Sequence, residues 1–143
     1  MRIATAIVQR MLGFIFLAFG LNGFLHFIPN MPMPNPAIQF FLGLAATGYM
    51  LPMLFITQAV AGALLIVGIY VPLALALLAP VVLNIVLFHV FLAPAGLPVA
   101  LIVAALELYL AWAYRDAFAP MLRARVSAHE YQTAQTSQRP VTA

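Results

Sequence analysis

Four apolar stretches, each about as long as a transmembrane helix, are the feature that most limits how this chain can fold. They cover about residues 7–28, 52–70, 72–92 and 97–114, and a helix of about 20 residues is enough to cross the hydrocarbon core of a bilayer. Only 6% of the residues are charged, against about 25% in soluble domains. Too few charges remain to cover a water-facing surface. The sequence therefore predicts an all-α integral membrane protein, an antiparallel bundle of four transmembrane helices.

Prolines and composition mark the boundaries of these stretches. Residues 29–36 contain four prolines, and because proline lacks an N–H and fixes φ, this segment is predicted to be an outer loop that ends the first helix. Residues 37–49 are apolar but only about 20 Å long as a helix, which predicts a short cap helix rather than a span. Residues 1–122 are predicted to form a single transmembrane domain, and the polar residues 123–143 a disordered tail.

The arginines predict the orientation in the membrane. The chain has no lysine, and all six basic residues lie near its two ends: Arg2, Arg10, Arg115, Arg123, Arg125 and Arg139. The segments between them that would face the other side, residues 29–51 and 93–98, contain no basic residue. Since Lys and Arg favour the cytoplasmic side, both chain ends are predicted to be cytoplasmic. The net charge of +3 then reflects orientation, and the lack of a basic patch with interleaved aromatics argues against a nucleic-acid partner.

Small residues predict which helix faces pack together. Helices in lipid gain no hydrophobic energy by associating, so glycine and alanine at their contacts let the backbones approach closely. Gly20 in the first stretch and Gly62 in the second are candidates for such contacts. Glu107 lies on an alanine-rich face of the fourth stretch, and this face is predicted to point into the bundle because a carboxylate facing lipid is costly. Pro80, inside the third stretch, is expected to kink that helix.

Six polar side chains within the apolar stretches are the candidate site residues: Asn22, His26, Gln58, Asn84, His89 and Glu107. At about 1.5 Å per residue, the two histidines lie about 3–5 Å inside the outer boundary and Glu107 about 15 Å inside it. One interpretation is a polar pocket open to the outer leaflet, in which these groups bind a quinone or another small lipophile and Glu107 exchanges protons. The other is that they hydrogen-bond to one another and hold the helices in register, at about 0.6 kcal/mol per bond.

Other cofactors fit the sequence poorly. The chain has no cysteine, which excludes an iron–sulfur cluster or a thiolate-ligated haem held by this chain. A haem between His26 and His89 is disfavoured by bulky neighbours such as Phe27 and Phe88, and a metal site that adds Glu107 is disfavoured by a depth difference of about 10 Å. No catalytic or redox-cofactor motif is present. The chain is therefore predicted to hold no metal and no built-in cofactor, with quinone left open as a ligand.

Four segments, in order along the chain, carry a family resemblance. They are residues 20–29 (GLNGFLHFIP), 32–41 (PMPNPAIQFF) with 48–52 (GYMLP), 62–68 (GALLIVG), and 84–92 (NIVLFHVFL) with the Pro-Ala-Gly turn that follows. Together they resemble the DoxX and DoxX-like membrane proteins over about residues 5–122. The resemblance implies a four-helix protein of the bacterial cytoplasmic membrane. The family takes its names from subunits associated with thiosulfate:quinone oxidoreduction or terminal quinol oxidation. The resemblance implies no particular catalytic residue. At position 58 this chain has Gln, where members of the family often have Glu.

Two functional hypotheses follow. The first is a non-catalytic or accessory subunit of a quinone-linked membrane redox system, with other membrane or redox subunits, or further copies of the chain, as partners within the lipid bilayer. The second is a protein that binds a quinone or small lipophile through the six polar residues. The first is preferred because nothing in the chain supplies redox chemistry.

Overall fold

The computed structural model describes residues 2–29 and 32–124, and all regular structure within them is helical. In chain order the α-helices of this part are α1 (Arg2–Leu25), α2 (Asn35–Ala46), α3 (Met50–Val67), α4 (Val71–Phe91), α5 (Leu97–Ala113) and α6 (Arg115–Phe118). Short 3₁₀ turns cover Pro94–Gly96 and Ala119–Leu122. Nearly all of the predicted tail at residues 123–143 lies outside the described residues, so its disorder stays a prediction.

Four of these helices are long and apolar enough to cross a membrane. The segments that meet this length and hydropathy are Ile3–Leu25, Met50–Val67, Val71–Phe91 and Pro94–Ala113. This confirms the predicted all-α class with four such helices. The placement of both chain ends on the cytoplasmic side stays a prediction from the arginines.

The first helix ends at Leu25, earlier than the predicted end at Ile28. His26 adopts a left-handed backbone conformation, with φ of 52°, which a right-handed helix cannot continue. Its N–H still bonds to the carbonyl of Asn22 at 2.9 Å, and the Asn22 side chain accepts the N–H of Ile28 at 2.7 Å. Pro29 follows and disfavours helical geometry at Ile28. His26 therefore lies in the turn after α1 and not inside the predicted helix of residues 7–28.

The turn between α3 and α4 begins at Gly68, not at the predicted Val71–Pro72 pair. Gly68 has a φ of 83°, a conformation that glycine adopts without a Cβ clash. The N–H groups of Gly68 and Ile69 both bond to the Leu64 carbonyl, at 2.9 and 3.2 Å, and this closes the end of α3. Pro72 then falls in the first turn of α4, where an N–H would have no helical partner.

Pro80 lies inside α4, which continues through it from Val71 to Phe91. Its ring is on the exposed side of the helix. The kink at Pro80 stays a prediction.

The α1 and α3 helices touch through their backbones. A Cβ atom added at Gly20 would lie 2.5 Å from the backbone nitrogen of Ala59, and one added at Gly62 would lie 2.5 Å from that of Leu17. Real Cβ atoms do not approach backbone so closely, so only glycine fits at either position. The prediction that these two glycines bring helices together is confirmed.

The four long helices form a closed ring of neighbours: α1 packs against α3 and α5, and α4 also packs against α3 and α5. The core that they enclose is apolar, and its largest fully buried side chains are Leu12, Phe16, Leu65, Leu75, Leu78 and Leu110. Glu107 faces this core, as its alanine-rich face predicted, and is 6% exposed. Large apolar side chains cover the outer surface, as a lipid-facing surface requires.

The short α2 helix is the predicted cap. It packs beside the end of α4 through aromatic rings: the ring centroids of Phe40 and Phe41 lie 5.5 and 5.4 Å from that of Phe88. Pairs at this separation contribute about 0.5–1.5 kcal/mol beyond the area that they bury. The cap is therefore held by an aromatic cluster, and it leaves a groove beside α4.

We predict that Gly62→Ala lowers the free energy of unfolding by about 1–3 kcal/mol, because the added methyl group forces α1 and α3 apart. Gly43→Ala is the matched control. Gly43 is also helical, a Cβ added there would meet nothing within 4 Å, and alanine is the better helix former by about 1 kcal/mol. Reversible unfolding in lipid bicelles measures both. Equal effects of the two substitutions would contradict the close contact.

Candidate functional site

The six predicted site residues occupy three different environments. Three of them lie at or near helix ends, two are buried in the bundle, and one faces outward from the middle of a span. In that order they are Asn22, His26 and His89; Gln58 and Glu107; and Asn84. The structure does not bring the six to one cavity.

His26 is exposed in the turn after α1. Its Nδ1 lies 3.1 Å from the carbonyl oxygen of Phe24, two residues earlier in the chain. Asn22, beside it, holds the same turn by accepting the Ile28 N–H. These two side chains therefore satisfy backbone groups that the end of α1 leaves open.

His89 likewise bonds to a backbone group, at the end of α4. Its Nδ1 lies 2.9 Å from the carbonyl oxygen of Ala93, and its ring lies against Gly96, where any side chain would collide with it. With one histidine in an exposed turn and the other folded over the next turn, the pair does not form a common ligand site. Residues 2–29 and 32–124 contain no group of three or more His, Cys, Asp or Glu that could hold a metal ion.

Gln58 and Glu107 are buried polar groups of the bundle interior, 7% and 6% exposed. They lie on α3 and α5, which stand across the ring from each other, at about 12 and 15 Å from the first residues of these helices. Neither side chain has a hydrogen-bond partner among the described residues, and Oε1 of Glu107 is fully buried without one. Unpaired polar groups in a protein interior are costly, at about 1–3 kcal/mol each.

Asn84 lies on the exposed side of α4, in the middle of a span. No side-chain hydrogen bond joins it to any other residue of the described chain. Thr57, a half-buried polar residue of α3, differs because its hydroxyl donates to the Met53 carbonyl of its own helix at 2.9 Å. The Asn84 side chain therefore lies on the outer side of α4, whereas Glu107 is buried in the bundle.

The Asn84 side chain opens into a groove between α4 and the α2 cap. We call this the Asn84 groove. Its volume is about 210 Å³ and its lining residues are Phe40, Asn84, Leu87, Phe88, Phe91 and Leu92. Apart from one amide, the lining is apolar and mostly aromatic.

Sequence reasoning missed a polar cluster at the other end of the bundle, centred on Gln9. Gln9 is 6% exposed, and its Nε2 donates to the Leu65 carbonyl at 2.7 Å. That carbonyl lies in the last turn of α3, where carbonyls lack helical partners. The Tyr114 hydroxyl in turn donates to Oε1 of Gln9 at 2.6 Å. Gln9 thus links α1, α3 and the end of α5.

An open cleft lies beside this cluster, between the first turns of α1 and the last turns of α5. We call it the α1–α5 cleft. Its volume is about 380 Å³ and its lining residues are Thr5, Ala6, Gln9, Tyr109, Trp112, Ala113, Tyr114 and Arg115. Thr5 Oγ1 and the Tyr109 hydroxyl lie 3.1 Å apart across it.

One signal in the sequence points to Gln9. It lies four residues before Gly13, so the two share a helix face, and a polar side chain on a glycine-lined packing face is buried against a neighbouring helix. Gln9 lies near the opposite end of the first stretch from Asn22 and His26, so it is not among the six predicted site residues.

We predict that Gln9→Leu and Tyr114→Phe are coupled. Each removes one partner of the 2.6 Å bond, so the double variant loses less stability than the sum of the single variants, by about 0.6 kcal/mol and at most about 1.7 kcal/mol. A double-mutant cycle of unfolding free energies in bicelles measures this. Tyr49→Phe is the control, because Tyr49 is 62% exposed and has no such bond among the residues described. Strict additivity would contradict the bond.

Comparison of the chain with protein-family models, curated proteins and solved structures found no match.

Proposed function

We propose that this protein is a non-catalytic accessory subunit of a membrane assembly, and that it docks on a partner transmembrane helix through the Asn84 groove. The observation that carries this proposal is the outward-facing amide of Asn84, which has no hydrogen-bond partner within the described chain.

An amide in this position is unfavourable in lipid. Hydrocarbon offers no hydrogen bonds, so a polar side chain at membrane depth normally faces the bundle interior or a second protein. Asn84 faces away from its own bundle, whereas Thr57 bonds within its own helix. A polar group on a second transmembrane helix would satisfy Asn84, and amide side chains are among the groups that hold membrane helices together.

The shape of the groove supports the same interpretation. The α2 cap stands beside α4 through Phe40 and leaves a channel along the helix rather than a closed cavity. Leu87 and Phe91, 45% and 74% exposed, line its apolar walls. A helix that lies in this channel buries both side chains while its polar group meets Asn84.

The resemblance of residues 5–122 to DoxX and DoxX-like proteins is the reason to place the assembly in a quinone-linked redox system of a bacterial cytoplasmic membrane. The chain itself has no cysteine and no cluster of metal-binding side chains in its described residues. The electron carriers of the assembly would therefore be supplied by the partner or by the quinone.

A second candidate function rests on the same groove. The Asn84 amide can donate to one carbonyl oxygen of a quinone whose ring lies among Phe40, Phe88 and Phe91. It is the weaker candidate because one donor serves one end of the headgroup, and His26 and His89 bond to carbonyls elsewhere.

We predict that the gently solubilised protein runs as a complex with a second polypeptide in fixed stoichiometry, and that Asn84→Leu weakens this complex about threefold to fifteenfold. The range corresponds to the loss of one interhelical hydrogen bond, about 0.6 to 1.7 kcal/mol. Native mass spectrometry of the tagged protein, purified from its own membranes, measures the assembled fraction.

Thr57→Val is the matched control, because it removes an exposed hydroxyl that already bonds to its own helix. It should leave the complex unchanged. A protein that runs only as a monomer or homo-oligomer contradicts the proposal, as does an equal effect of the two substitutions. Loss of quinone binding in Asn84→Leu with an intact complex would favour the second candidate.

A further inference from the structure

We propose that the α1–α5 cleft binds the phosphate-bearing headgroup of an anionic membrane phospholipid. The cleft lies where the first span begins and the fourth span ends, at Ile3 and Ala113. Both limits place it at the boundary between hydrocarbon and water, the level that phospholipid headgroups occupy.

Arg115 supplies the charge for this site. Its Nη1 donates to the Trp112 carbonyl at 3.2 Å, and its guanidinium carbon lies 5.1 Å from the centroid of the Trp112 ring. These contacts hold the planar group in place at the mouth of the cleft. A guanidinium has five N–H donors in a fork that matches phosphate oxygens, and only one of them is used in the described contacts.

Hydroxyl groups line the wall behind Arg115. The hydroxyl oxygens of Thr5 and Tyr109 lie 3.1 Å apart. Gln9, which is 6% exposed, forms the floor of the cleft together with Tyr114. Either hydroxyl can be the donor in the bond between Thr5 and Tyr109, and with Thr5 as the donor the Tyr109 proton is available to a headgroup oxygen. A phosphodiester with a polar substituent fits such a wall, because its oxygens accept from both hydroxyl and guanidinium donors.

The surrounding charge favours an anion. Three arginines, Arg10, Arg115 and Arg123, lie near this end of the bundle. Asp116 is the one acidic residue there within the described chain, and no ion pair joins it to Arg115. Basic pockets between transmembrane helices are known to bind anionic headgroups.

The outer surface beside the cleft suits the acyl chains. Trp112 and Leu108 are 53% and 69% exposed on α5. Tryptophan is favoured at the headgroup level, and the apolar surface around Leu108 continues towards the membrane centre. A bound phospholipid can therefore place its phosphate in the cleft and its chains along α5, which a soluble phosphate cannot do.

The test uses the full chain in phosphatidylcholine nanodiscs that contain increasing fractions of phosphatidylglycerol. Native mass spectrometry counts the retained lipids, and thermal unfolding reports their stabilisation. Measurements at about 1 M salt, where the Debye length is about 3 Å, leave contact pairs but screen general surface attraction. We expect one saturable phosphatidylglycerol site in the wild type. Arg115→Gln should raise the half-saturating fraction about tenfold, as expected for the loss of a charge-assisted contact.

Arg123→Gln is the matched control, because it removes the same charge at the same end of the bundle from a residue outside the cleft. It should leave the half-saturating fraction unchanged. Tyr109→Phe, which removes only a hydroxyl group, should raise the half-saturating fraction about threefold. This variant also tests the site if Arg115→Gln fails to fold. Equal effects of the two arginine substitutions, or no effect of Tyr109→Phe, would overturn the site. Equal stabilisation by inorganic phosphate in pure phosphatidylcholine would overturn the assignment to a lipid.

Discussion

Backbone contact between α1 and α3 is the constraint on which the rest of the bundle depends. Because lipid gives helices no hydrophobic reason to associate, their attraction comes from close packing and from hydrogen bonds between them. Gly20 and Gly62 allow this approach, since a Cβ at either position would lie 2.5 Å from the backbone of the other helix. The contact also brings Gln9 to the open carbonyl of Leu65, and Gln9 then receives the Tyr114 hydroxyl at the end of α5. One tight helix pair thereby positions a third helix.

The need to satisfy polar groups in lipid explains most of the polar side chains of this protein. Asn22 and His89 bond to backbone groups in the turns after their helices, and Gln9 bonds to the last turn of α3. Asn84 is different, because it faces outward from the middle of α4 with no partner in the described chain. This contrast is the reason to interpret α4 as a docking face rather than as one wall of an internal pocket.

The sequence predicted the four membrane-crossing helices because apolar length is a property of each segment alone. It also predicted that Glu107 faces the interior, since the alanines of α5 mark one face of that helix. It placed the end of the first helix three residues too late, because that end depends on a left-handed residue and on a hydrogen bond of Asn22, neither of which hydropathy records. It does not show that Asn84 is exposed, because the rotation of α4 is decided by packing against α3 and α5. The burial of Gln9 follows from the contact of three helices and was missed for the same reason.

Site-specific photo-crosslinking in native membranes tests the docking role of α4 most directly. A photoreactive residue in place of Leu87, 45% exposed in the Asn84 groove, is compared with one in place of Leu108, 69% exposed on α5. The account predicts one discrete protein adduct from position 87, a lower yield of that adduct when Asn84→Leu is added, and lipid adducts alone from position 108. Lipid adducts alone from both positions, or a protein adduct at position 87 whose yield Asn84→Leu leaves unchanged, would contradict it.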